Sequence, residues 1–141
     1  PALRVISKAV EEESEQKIRM VGADGVVMPD FIGGLRMVSE MVRPSVVNFL
    51  DTMLRSRDKT VRVEEIVIEP HSPFAGKVLS ETGLHEIEDL SIVALKGGTG
   101  DAYTFNPPRA TVLGEGHVLI VMGNIDRIGD ATRRINPAKD F

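Results

Sequence analysis

Apolar and polar positions run along this chain in two rhythms, and the change of rhythm divides it. Leu3-Arg4-Val5-Ile6 is a compact apolar run, as expected of a strand in a covered sheet. Residues 11–20 then read as a helix. Glu11, Glu12, Glu13 and Glu15 crowd its first turns while Lys17 and Arg19 come late, the order the helix dipole favours. Gly22 is the expected C-cap. Val26, Val27 and Met28 form a second short strand, ended by Pro29. A strand, helix and strand of these lengths predict a parallel pair joined by a right-handed crossover.

Beyond Gly33-Gly34, a helix is predicted from Leu35, Val38, Met41 and Val42, which recur at helical spacing. Pro44 lacks an N–H and clashes with the preceding turn, so it should break or kink that helix. Val46, Val47, Leu50, Met53 and Leu54 resume the pattern, giving a helical pair with one long apolar face. SRDKT (56–60) is polar and unpatterned and marks the boundary of a second lobe. There Val61, Val63, Ile66 and Ile68 predict a strand ending at Pro70. Ser72 as N-cap and Pro73 at the first helical position predict a helix to residue 79 or 80, with Gly83 beyond it. Residues 92–95 and 102–105 read as strands joined by the hairpin turn GGTG (97–100), the second stopped by Pro107-Pro108. Residues 118–122 form a last strand after Gly114-Glu115-Gly116, and Asp126 is placed to cap a final helix through residue 134. The fold class is therefore α/β followed by α+β: an unfinished strand–helix–strand at 1–31, a helical pair at 32–56, and a small β-α-β-β-β-α lobe at 61–137.

Composition narrows the function. Of 141 residues 42% are hydrophobic and 27% charged, which suits a folded domain. Aromatics make up only 4% and Trp is absent, so aliphatic side chains and Met must build the core. The net charge of −4 is spread in both signs, which argues against a basic nucleic-acid face. Without Cys there is no disulfide framework, thiolate nucleophile or Cys-type zinc site, in keeping with a reducing compartment. No apolar run approaches the roughly 18–20 residues of a membrane span, so direct membrane insertion is not expected. The opening residues are too acidic for a signal peptide. An apolar strand is also an odd native start, and the chain is expected to be a piece of a longer protein.

Three stretches imitate active-site motifs. GTGDAY (98–103) begins like a dinucleotide fingerprint, but its sixth position is Tyr103 and it lies between strands. HEIED (85–89) nearly spells a zinc-peptidase motif, but Asp89 replaces the second His. It reads either as an oxygen-rich cation site or, in the blander reading, as a solvated acidic loop. Gly33-Gly34 at a helix start could form an anion nest or let the helix approach the sheet closely, and the latter is favoured because no Lys, Ser or Thr stands beside it. His71 and His117 stand singly beside turns. A hydrolase built on His85 is the weakest reading, because nothing assembles a nucleophile, base and orienter. No catalytic residue and no metal ligand is predicted.

The ordered set of residues resembles the closing part of an RCK domain, the TrkA-type regulators of potassium channels and transporters. Gly22-Ala23-Asp24, Pro29 and Gly33-Gly34 match the end of the family's Rossmann-like N-lobe. SPFAGKVLSETGL (72–84), LSIVALKGG (90–98) and NPPRATVLGEGHVLIVMG (106–123) are similar to its C-terminal, TrkA-C, lobe. The resemblance implies a truncated N-lobe without its nucleotide-binding strand and loop, crossover helices, and a regulatory rather than enzymatic role. It implies a cytoplasmic module that controls potassium transport and belongs to a homodimer or higher ring joined to a membrane pore. The implied dimer interface is Leu35, Val38, Met41, Val42, Val46, Leu50 and Met53. No resident cofactor is implied, only a small effector (nucleotide, cyclic dinucleotide or cation) at Lys77, Leu84, His85, Ile87 and Ile92. Calcium-gated relatives carry carboxylates where this chain has Lys8 and Val10, which cannot ligate calcium. The alternative is a small-ligand-sensing module of an enzyme.

Overall fold

β1 (Ile6–Lys8) and β2 (Gly25–Val27) pair in parallel, Ile6 opposite Gly25 and Lys8 opposite Val27, with α1 (Glu12–Met20) between them in sequence. These are elements of a computed structural model that describes residues 3–55, 61–97 and 102–137. α1 carries the expected acidic first turn and basic last turn, and Gly22 follows it at φ +106°, where a side chain would be strained. β1 starts later than Leu3 because a turn residue claims the backbone before it. The Asp24 carboxylate accepts the Val5 N–H at 2.7 Å, and Asp24 and Gly25 donate to the Val5 carbonyl at 2.9 and 3.2 Å.

α2 (Pro29–Val42) starts earlier than the spacing predicts, with Pro29 at its first position, where a missing N–H costs nothing. Gly33 and Gly34 therefore lie inside the helix rather than at its start, and no anion nest forms there. Close approach is not their role within this chain either, since a Cβ added at either would meet nothing within 4 Å. Pro44 breaks the helix as expected: Arg43 forms the corner and Pro44 opens α3 (Pro44–Arg55). The chain divides into two compact units, Pro1–Asp51 and Thr52–Phe141, with the division a few residues before SRDKT. SRDKT itself lies outside the described residues.

In the second unit, β3 (Val61–Val67), β4 (Leu90–Lys96), β5 (Tyr103–Phe105) and β6 (Val118–Asn124) form one sheet in the order β3-β6-β4-β5, all neighbours antiparallel. Burial alternates along β6, with Leu119, Val121 and Gly123 facing inward. Leu119 and Val121 join Ile66, Leu95 and residues of α4 (Ile125–Ile135), namely Ile128, Ala131 and Ile135, in one core. The cap of α4 is Asn124, whose Oδ1 accepts the Asp126 N–H at 3.1 Å, rather than the expected Asp126. The hairpin connection at 98–101 lies outside the described residues, but the strands on either side pair as a hairpin requires, Lys96 opposite Tyr103.

No α-helix forms at 72–80. Gly76 sits at φ +84° and donates to the Leu113 carbonyl, and Val78 forms an antiparallel bridge with Val112. The backbone there finds partners in residues 109–113 instead of in a helix of its own. Two 3₁₀ turns follow, Leu79–Glu81 and Leu84–Glu86, and bring Leu79 and Leu84 into the core. Ser72 Oγ donates to the Ile135 carbonyl and accepts the Phe74 N–H, so it ties the segment to α4 rather than capping a helix.

Asn136, just past α4, fastens the edge of β3. Its Nδ2 donates to the Val67 carbonyl at 2.7 Å and its Oδ1 accepts the Glu69 N–H at 3.1 Å. Asn136→Ala should cost about 1–2 kcal/mol, two ordinary hydrogen bonds partly replaced by water. Asn136→Asp, which keeps only the acceptor, should fall between, as read from urea unfolding midpoints.

Candidate functional site

Within the first unit α2 buries none of its residues, although it carries Phe31, Ile32, Leu35, Met37, Val38, Met41 and Val42. Isolated helices of this length gain most of their stability from packing an apolar face, so such a face left open is unusual. α3 continues it with Val46, Phe49 and Leu50, all more than a third exposed, whereas Val47 is 4% exposed. Between the helices lies a groove of about 340 Å³ lined by Val38, Ser39, Val42, Arg43, Val46, Val47 and Leu50. Contiguous apolar surface of this kind marks an interaction site on a soluble protein.

The groove gathers four of the seven positions expected for dimerisation: Val38, Val42, Val46 and Leu50. Leu35 and Met41 are exposed on α2 outside it, and Met53 is half-buried beyond the division between the units. None of the first six is core, so the intrachain packing that competes with the interface reading does not claim them.

The sequence pattern does not single out Arg36. Its Nη1 and Nη2 donate to both carboxylate oxygens of Asp51 on α3, at 2.8 and 2.7 Å, and Nη2 also reaches Glu40 at 3.3 Å. The hydrogen bonds with Asp51 raise the guanidinium's pKa still further above its ordinary value, against a smaller opposing effect of desolvation. A raised basic pKa keeps the guanidinium charged even in alkali, so above the range in which carboxylates take up protons, salt is the practical variable of the pair. The i, i+4 spacing to Glu40 is visible in the sequence; the reach to Asp51 depends on how the corner at Arg43 folds.

The expected effector residues lie in the second unit. Leu84 is in the core at 1% exposure, with Ile87 and Ile92 packed against that core. Lys77 is exposed, its ammonium 5.8 Å from the Phe74 ring, and His85 is exposed on the second 3₁₀ turn. Among the described residues no hydrogen bond or ion pair joins Lys77 to His85. Of the single histidines, His117 has a structural part: its Nδ1 accepts the Gly114 N–H at 3.0 Å and closes the turn before β6. No cluster of three or more His, Asp or Glu converges among the described residues, and no helix there is long and apolar enough to cross a membrane.

The second unit is thus an α+β lobe, and the helices before it in sequence carry an open apolar groove. The chain belongs to the TrkA-C domain family, whose model matches residues 63–136. Over 132 residues it is 28% identical to probable potassium channel protein 2 of Methanocaldococcus jannaschii, spanning 91% of this chain and 38% of that protein. Over 128 residues it is 24% identical to Ktr system potassium uptake protein A of Vibrio alginolyticus, spanning 91% of this chain and 54% of that protein. Among solved structures, the human SLO3 gating ring shares the fold at TM-score 0.64 and 12% identity, over 94% of this chain and 27% of that one.

Proposed function

We propose that this chain is the assembly and effector-sensing portion of a larger cytoplasmic regulator of potassium transport. The observation that carries the reading is the uncovered groove between α2 and α3, whose natural occupant is the same groove of a second copy. Membership of the TrkA-C family supports it, as do relatives that are a potassium channel protein and a potassium uptake protein. In this reading the protein is regulatory and not an enzyme. A small effector, bound near Lys77, His85, Ile87 and Ile92, would favour one arrangement of paired copies over another. It can act only through unequal affinity for the two arrangements, and the pore would follow that change.

Sedimentation equilibrium should find dimers or larger assemblies at concentrations on the order of tens of micromolar, an ordinary affinity for a specific interface; a clean monomer would overturn the assembly reading. Calorimetric titration with adenine nucleotides, cyclic dinucleotides and divalent cations tests the sensing half. Lys77→Ala should weaken a phosphate-bearing effector about tenfold, ~1.4 kcal/mol. Binding of an amino acid with no response to nucleotides or cations would favour a sensor attached to an enzyme.

A further inference from the structure

α2 and α3 follow one another through Arg43. At their corner Arg43 donates to the Ser39 carbonyl, and the Val46 and Val47 N–H groups donate to the Arg43 carbonyl. Away from the corner the groove is lined by Val38 on one helix and Leu50 on the other. Arg36 and Asp51 stand just past those two residues in sequence, each about 11 Å along its helix from the corner at 1.5 Å per residue. A two-pronged hydrogen bond there closes the third side of a triangle.

We propose that the Arg36–Asp51 pair is a clasp that sets the opening of the α2–α3 groove, and so the geometry with which a second copy seats in it. The inference rests on the groove being a self-association surface. Most surface ion pairs hold little, but a bidentate guanidinium–carboxylate pair has the fixed geometry that is the exception. The side chains are 39% and 28% exposed, so salt reaches the pair. Glu40, one turn along α2, is a second acceptor for the same guanidinium. When the bonds to Asp51 open, Arg36 keeps a partner on its own helix, and the released state is not an orphaned charge. The clasp therefore has two satisfied states: one bridging the helices, the other confined to α2.

The absence of cysteine makes the test direct. Met37→Cys on α2 and Asn48→Cys on α3, both exposed and outside the groove lining, accept spin labels in the full chain. Dilution with unlabelled chain restricts pulsed electron–electron resonance to distances within one copy. The parent should give one narrow distance distribution that broadens in 1 M salt. Arg36→Gln and Asp51→Asn should each broaden it at low salt and lose the salt response. Arg36→Lys, a point charge without the fork, should fall between. Sedimentation of Arg36→Gln should show dimer affinity weakened about three- to tenfold, because a loosened groove must be ordered on binding. A distribution in Arg36→Gln as narrow as the parent's overturns the clasp. A narrow-to-broad change in a chain that never dimerises upholds the clasp and overturns only the self-association reading.

Discussion

Val46→Glu should leave the chain monomeric under conditions where the parent dimerises, with its thermal unfolding almost unchanged. Val46 lies centrally in the groove lining yet is 51% exposed within the single chain, so a carboxylate there meets water until a second copy arrives. It also falls in the first turn of α3, where the helix dipole welcomes a negative charge, so the helix itself is not weakened. On association the carboxylate would be buried against Val38, Val42 and Leu50 with nothing to pair it, a penalty of several kcal/mol. In a two-fold interface the substitution enters twice. A loss of at least about 100-fold in dimer affinity, ~2.8 kcal/mol, is expected by sedimentation. Undiminished dimerisation with the same circular dichroism melt would place the interface elsewhere on the chain.

The largest effect on stability is expected from Gly123→Ala. Gly123 pairs with Leu90 where β6 meets β4. A Cβ there would fall far inside contact distance of the Asp89 carbonyl oxygen and 3.1 Å from the Leu90 Cα, both backbone atoms that cannot rotate away. Asp89 is already held at φ +60°, and its carbonyl accepts the Asn124 N–H, so the strands must separate to admit a methyl. Overpacking of this kind costs on the order of 3 kcal/mol, which lowers the melting temperature of a domain this size by roughly 12–20 °C. Gly33→Ala is the control. Its added methyl meets nothing and lies inside an exposed helix, so it should stabilise α2 by roughly 0.5–1 kcal/mol. Equal melting temperatures for the two variants would refute the packing argument.

Features that depend on a few neighbouring residues are legible in the sequence. The dipole-ordered charges of α1, the positive-φ glycine just past its C-cap Val21, the break at Pro44 and the alternation along β6 all follow from chemistry within a turn or a pleat. The ordered motifs point to the right family, and the apolar spacing of α2 and α3 marks a face that the single chain leaves exposed. Local rules mislead where they offer two answers. Pro29 ends a strand and also starts a helix well, and Ser72-Pro73 is a plausible helix start that Gly76 and the strand-like partners at 109–113 override.

Tertiary structure alone decided the rest. The order β3-β6-β4-β5 pairs segments far apart in sequence, and no local preference specifies which strands will be neighbours. The burial of Leu84 follows from where its turn packs, while Lys77 and His85, in the same segment, remain at the surface. Asn136 reaches back to β3, and Arg36 finds Asp51 only once the corner at Arg43 has folded. Sequence by itself determined most of the stretches that are helix or strand and which face is apolar. Which of those faces is covered and which stays open depends on contacts between distant residues, and that is what leaves the α2–α3 groove open in the single chain.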